Sequence, residues 1–195
     1  MAEVVLVRHA ATAWSGRRYC GRSDPPLDRA GIASAARAAD ELRPRLRPGI
    51  RIVASPRRRA IQTATEIARV IDARSVEIDE RWAETDFGIA EGLTFDELTR
   101  VAPEIAARLS AGDVEIDWPG GEAAATLVAR VEAAWRDSAS HPAGSLVVTH
   151  GGPIRVAIAL VTDRRAGDVV VPSPAGSLFV SRDDTGMGWH VLEHQ

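Results

Sequence analysis

Lysine is missing altogether: the 24 basic residues of the 195-residue chain are all arginine. A phosphate-cradling loop closed by Gly-Lys-Ser/Thr is therefore ruled out, as are a kinase-type catalytic lysine and Schiff-base chemistry. Asp86-Phe87-Gly88 is, on that ground, a chance match to a kinase signature. Cysteine is nearly missing too. The single Cys20 can form no internal disulfide and supplies too few thiolates for a structural zinc site, so a reducing compartment suits the chain. No apolar run approaches the roughly 18 residues of a membrane span. The opening Met-Ala-Glu passes straight into an apolar run, without the basic and long apolar regions of a secretory signal. A soluble, cytoplasmic protein with no membrane partner is expected. The formal charge of −3 lacks the basic excess that nucleic-acid binding calls for, so no nucleic-acid partner is expected. His-Glu-x-x-His, dense Asp/His clusters and a Gly-x-Ser-x-Gly elbow are also absent, which argues against a metalloenzyme and a serine hydrolase. No metal site and no cofactor are expected.

The length suits one substantial core, and residues 1–195 are read as a single domain. Val4-Val5-Leu6-Val7 and Leu146-Val147-Val148-Thr149 are short β-branched runs of the kind that fill buried parallel strands, and residues 51–54 form a third. Residues 177–181 and 189–192 read as later strands joined as a hairpin through 183–188. Spaced apolar positions predict helices over 28–46, 57–70, 94–109, 121–138 and 154–160, the last after a Gly151-Gly152-Pro153 turn. Strands alternate with helices. The order predicts an α/β fold, a three-layer α/β/α sandwich on a mostly parallel central sheet.

In such sheets ligands collect beyond the carboxyl ends of the strands. Three predicted strands release polar groups there: Arg8-His9, Ser55 with the arginines that follow, and His150. Two histidines at equivalent strand ends point to chemistry, whereas His141, His190 and His194 read as core or surface histidines. Arg57 and Arg58 read as surface charges at a helix start, and Glu122 as a helix-start carboxylate. Cys20 is no phosphatase nucleophile, because the arginine expected six residues on is replaced by Pro26.

Leu6-Val7-Arg8-His9 with Thr12, Ser55 to Ala64 containing Arg59-Ala60-Ile61-Gln62-Thr63-Ala64, Glu84, and Val148-Thr149-His150-Gly151-Gly152 occur in one order with compatible gaps. Together they make the chain resemble the histidine phosphatase superfamily, the phosphoglycerate-mutase-like group, from Val4 to about Ile158. The resemblance implies that fold, with His9 as the nucleophile that becomes phosphohistidine. Arg8 and Arg59 would clamp the phosphoryl oxygens, His150 would hold another, and Glu84 would be the proton donor. Ser15, Gly21 and Gly151 would contribute phosphate or substrate contacts, and the segment from Arg18 to Leu27 would fold over the phosphate. Physical reasoning supports the set. Phosphoryl transfer spreads charge over equatorial oxygens, and arginine forks bind two oxygens while staying protonated. Neighbouring arginines keep the attacking imidazole neutral. Glu84 needs a raised pKa, and partial burial against Trp82 or Phe87 would supply it.

The sequence departs from the family at Ala10, Ala11, Ser15 and Cys20, which bears on substrate choice. The short span from Glu84 to His150 leaves little room for the insertion that covers the site in cofactor-dependent mutases. That favours a phosphomonoesterase acting on a small phosphorylated metabolite, with α-ribazole phosphate suggested by the likeness of the 20–27 segment. A phosphomutase and a non-catalytic phosphate-ligand-binding protein are the alternatives. The oligomeric state is left open, a homodimer included.

Overall fold

The valines and leucine of the first apolar run alternate between two opposite cores, which is how a buried strand serves both faces of its sheet. The computed structural model describes residues 3–73, 75–183 and 188–194. In chain order its elements are β1 (Glu3–Arg8), α1 (Arg29–Leu42), β2 (Arg51–Ala54), α2 (Arg58–Ile71), β3 (Glu77–Ile78), α3 (Phe95–Val101), α4 (Pro103–Ser110), α5 (Ala124–Ser140), β4 (Ser145–Thr149), α6 (Gly151–Thr162), β5 (Ser177–Arg182) and β6 (Trp189–His194). The strands form one six-stranded sheet in the order β3-β2-β4-β1-β5-β6. Pairing is parallel from β3 to β1 and antiparallel at β5 and β6, giving the α/β fold with a mixed, mostly parallel sheet.

Val4, Leu6, Val147 and Val180 pack on one face against Trp135 of α5 and Ile154, Ala157 and Ile158 of α6. Val5, Val7, Ile52 and Val148 pack on the other against Leu42 of α1 and Ala60, Ala64 and Ile67 of α2. Three layers result. A satellite cluster of Leu98, Ala102, Ile105, Ile116 and Trp118 anchors α3, α4 and the loop beyond them.

The expected strands at 4–7, 51–54 and 146–149 are found at those places, and β5 and β6 pair as predicted. Of the expected connection at 183–188, residues 184–187 lie outside the described residues. The helix expected over 94–109 is two helices, broken at Ala102 (φ −143°, ψ 72°) ahead of Pro103. Proline has no N–H to continue the ladder and drives the residue before it out of the helical region, and it then opens α4. The last helix begins at Gly151, so the expected Gly-Gly-Pro turn is its first turn. α5 starts at Ala124 rather than at 121, and the two-residue strand β3 had no counterpart in the sequence reading.

Candidate active site

Register fixes what lies at the carboxyl edge. Arg8 of β1 is opposite Thr149 of β4, and Val148 of β4 is opposite Ala54 of β2. His9 and His150 therefore leave β1 and β4 at one level, and Ser55 leaves the adjacent β2 one residue short of it. The two imidazole centroids are 5.0 Å apart, and His150 Nε2 lies 2.6 Å from Ser55 Oγ. Both histidines are buried.

His9 has its Nδ1 2.7 Å from the Ala10 carbonyl. A carbonyl only accepts, so Nδ1 carries the proton and Nε2 keeps a lone pair. That lone pair receives the Arg59 Nε–H at 3.3 Å. Burial first, then the Arg59 and Arg8 charges, push the His9 pKa down to about 3, against the Ala10 hydrogen bond. The imidazole is neutral at physiological pH. Ala10 is fully buried beside Leu27 and Ala35, and its N–H donates to Thr63 Oγ1 at 3.0 Å. Alanine at position 10 thus supports His9 through its backbone alone.

Arg59, 1% exposed, lies in the first turn of α2. Its Nη1 donates to Ser23 O at 2.9 Å and its Nη2 to Cys20 O at 2.7 Å. Three of its five N–H groups thus tie His9 to the overlying loop, and two remain for a ligand. The loop is stapled from below by Glu91. Its Oε1 accepts from Gly21 N and Arg22 N at 2.8 and 2.9 Å, and its Oε2 from Ser23 N and Ser23 Oγ at 3.2 and 2.9 Å. Asp24 Oδ1 accepts the Arg58 N–H at 2.7 Å and pins the loop to α2. The carbonyl of Cys20 matters here rather than its thiol, whose pKa is raised by burial.

Glu84 is half-buried and lines the same cavity as Phe87. Its Oε1 accepts from Thr85 N and Gly152 N at 3.0 and 3.1 Å. A Cβ on residue 152 would sit 2.5 Å from Glu84 Oε1, so glycine is what lets the carboxylate reach that amide. Burial raises the Glu84 pKa despite those bonds and the Arg59 and Arg8 charges. Arg130 holds the segment from behind, with Nη1 donating to Arg81 O and Ala83 O at 2.8 and 2.7 Å and Nη2 to Glu84 O at 3.3 Å. Glu122 grips the same guanidinium through both oxygens, at 2.6 and 2.8 Å. It is a partner of Arg130 and lies ahead of α5, not in its first turn as expected.

Ser55 Oγ accepts from Arg57 N at 3.3 Å, which leaves its own hydrogen for His150 Nε2. Nδ1 of His150 then carries a proton, and it is buried with no protein partner. Arg8 Nε and Arg57 Nε are in the same condition. Trp82 Nε1 is a fourth such donor; buried donors are rarely left unpaired, and those of Arg8, Arg57 and His150 are available to an anion. Arg57, expected on the surface, is half-buried. With burial, Arg59 and His9 it helps hold His150 well below the usual histidine pKa.

A cavity of about 330 Å³ opens over this edge, lined by Arg8, His9, Ser15, Arg59, Glu84 and Phe87 among others. Ser15 is placed there as expected, with its Oγ accepting from Thr12 N at 2.9 Å. His150, fully buried beneath it, and Gly21 and Gly151 are not part of this lining. The Gly21 N–H is committed to Glu91, and Gly151 borders a second cavity behind Glu84. His141 is half-buried with Nδ1 at 3.1 Å from Gly144 O, His190 is exposed, and the His194 side chain lies outside the described residues. Among the described residues no three His, Cys, Asp or Glu side chains form a metal-holding group, and no helix is long and apolar enough to cross a membrane.

The α/β sheet thus presents paired imidazoles among arginines at one edge. Residues 4–174 match the histidine phosphatase superfamily (branch 1), and the chain belongs to that family. The bifunctional protein Rv2228c of Mycobacterium tuberculosis is 38% identical over 169 residues, 84% of this chain but 45% of that protein, so the chain spans less than half of that relative. Phosphoglycerate mutase-like protein 4 of Arabidopsis thaliana is 33% identical over 158 residues, 79% of this chain and 68% of its own. A mycobacterial glucosyl-3-phosphoglycerate phosphatase, Rv2419c, solved in complex with VO3, superposes with a TM-score of 0.85 at 27% identity, covering 99% of this chain and 98% of that one.

Proposed function

We propose that the protein is a phosphomonoesterase that hydrolyses small phosphate esters through a phosphohistidine on His9. The observation that carries this reading is a neutral buried imidazole whose Nε2 lone pair is free of a proton, amid buried donors that have no protein partner. In the first step Nε2 attacks phosphorus, the N–P bond forms and the ester P–O bond breaks. Arg8, Arg59 and the His150 Nδ1–H hold the equatorial oxygens, a charge-stabilising task that dominates phosphoryl transfer. Glu84, whose pKa is raised by burial, gives its proton to the departing alkoxide. In the second step a water attacks phosphorus, its proton passes to Glu84, and phosphate leaves with His9 restored.

The phosphatase activity of Rv2419c, whose fold this chain shares over nearly its whole length, supports hydrolysis over transfer between hydroxyls. Mixing the enzyme with p-nitrophenyl phosphate in the presence of chelator and quenching at alkaline pH should give an intact mass heavier by one phosphoryl group, labile in acid and located on His9. His9→Ala should abolish both the adduct and phosphate release. An adduct on another residue, or turnover that survives His9→Ala, would overturn the proposal.

A further inference from the structure

Glu84 and Phe87 line two cavities: the catalytic one, and a second of about 480 Å³ that runs away along α6. That volume lies within the roughly 300–1,000 Å³ of small-molecule sites. Its walls are Ile116, Trp118, Leu127, Val128, Val156 and Leu160, drawn from the satellite cluster, α5 and α6. Leu160 and Val128 remain 42% and 37% exposed at its rim. The catalytic cavity holds the charges that phosphoryl chemistry needs, so an apolar chamber sharing its general acid requires a separate reason.

Cations gather along this second cavity. Arg155 of α6 is half-buried, with Nη1 donating to Ala166 O and Val169 O at 2.9 and 2.8 Å. Arg164 and Arg165, just beyond the end of α6, line it as well, and among the described residues neither is paired with a carboxylate. Against these three stand only Glu84, at the shared end, and the exposed Glu115. Apolar walls that end in unpaired guanidinium groups complement an amphiphilic anion.

We infer that this cavity receives the alcohol portion of the substrate. The substrate class is a phosphate monoester of an apolar alcohol that carries a second acidic group several carbons from the ester oxygen. The inference rests on the hydrolase reading for the ester bond and on Glu84 for its direction, because the group protonated by Glu84 departs past the residue that both cavities share. The acidic end then meets Arg164 and Arg165, and the carbon chain lies on Trp118, Leu127 and Val156.

The test compares ethyl phosphate, heptyl phosphate and 6-carboxyhexyl phosphate, with binding of 6-carboxyhexylphosphonate followed by calorimetry. Since methylenes in an apolar pocket change specificity about tenfold or more, kcat/KM for the carboxyhexyl ester should exceed that for ethyl phosphate by at least about 100-fold. Ala159→Phe, which narrows the cavity from α6, should lower kcat/KM for both long esters relative to ethyl phosphate. The exposed pair Arg164→Glu/Arg165→Glu should lower carboxyhexyl turnover about tenfold relative to heptyl turnover, and weaken phosphonate binding to match. Equal kcat/KM for all three esters, or variants that move all three alike, would overturn the cavity assignment while leaving hydrolysis in place. No turnover of any ester, with phosphonate binding still sensitive to the arginine pair, would overturn the hydrolase reading and leave the cavity assignment standing.

Discussion

Removing the Glu91 carboxylate should damage catalysis without touching any group that meets phosphorus. Four donors of the overlying loop converge on it: the Gly21, Arg22 and Ser23 amides and the Ser23 hydroxyl. A hydrogen bond to a charged group is worth about 1.5–3 kcal/mol, but Glu91 is half-exposed and the freed amides can take up water. A total of about 2–4 kcal/mol for Glu91→Ala is the discounted figure, or roughly 5–15 °C in Tm for a chain of this size. The larger effect is on Arg59, whose two terminal nitrogens are held by carbonyls of the same loop, at Cys20 and Ser23. Misplacing a phosphoryl clamp by about 1 Å costs on the order of 100-fold, so kcat/KM should fall by about that factor. Inhibition by inorganic phosphate should weaken in parallel, an effect that a stability loss alone would not produce. Glu91→Gln keeps one acceptor oxygen and should fall between the two. If Glu91→Ala lowers Tm but leaves kcat/KM and phosphate inhibition within threefold of the parent, the loop does not set Arg59 and the argument fails.

Glu84→Gln should slow the first step, formation of phosphohistidine, by about 10²–10⁴ for esters with poor leaving groups and spare it for p-nitrophenyl phosphate, whose leaving group needs no proton; equal losses in single-turnover phosphorylation would exclude the general-acid role. For the same reason the parent enzyme should lose activity toward alkyl esters as pH rises through the raised Glu84 pKa, while its activity on aryl esters stays flatter. The buried imidazoles predict an acid-labile fold. His9 and His150 are held below the ordinary value of 6.5, so the stability they contribute is complete above that pH and is lost as pH falls toward the His9 value of about 3. The loss should reach up to roughly 1.4 kcal/mol per pH unit per imidazole, and urea midpoints of His9→Asn/His150→Asn should show a flatter slope between pH 6 and pH 4.5. Arg130→Met strands Glu122 and the carbonyls of Arg81, Ala83 and Glu84, and should cost about 3 kcal/mol or more in urea unfolding; a change under about 1 kcal/mol would contradict the clamp.

The parts of this molecule that could be read from sequence are those where the signal is local. A β-branched run that stops at a histidine announces both a buried strand and what it delivers to the sheet edge, and this located β1 with His9 and β4 with His150. The break between α3 and α4 was hidden because Leu98, Ala102, Ile105 and Ala106 all feed one apolar cluster, so the spacing runs on across the interruption. Pro103 itself was the available signal. β3 has two exposed residues and no apolar alternation to detect. Glu91 and Arg130 were passed over because their partners are backbone groups far away in the chain, at residues 21–23 and 81–84. A carboxylate that collects amides leaves no pattern in sequence. Arg57 was misread for a related reason: an arginine at a helix start looks solvated until the strand beside it places His150 within reach of its charge.

The sheet order also governs when this chain can become an enzyme. β1, which leads directly into His9, has β4 and β5 as its neighbours, and both come from far along the sequence. During synthesis β1 must wait for β4 until well over a hundred further residues have emerged. Such distant pairing slows folding and lengthens the time for which an apolar strand is open to aggregation. Fragments ending before β4 would carry His9 without a reaction centre, so a ribosome stalled partway along this message displays no premature activity.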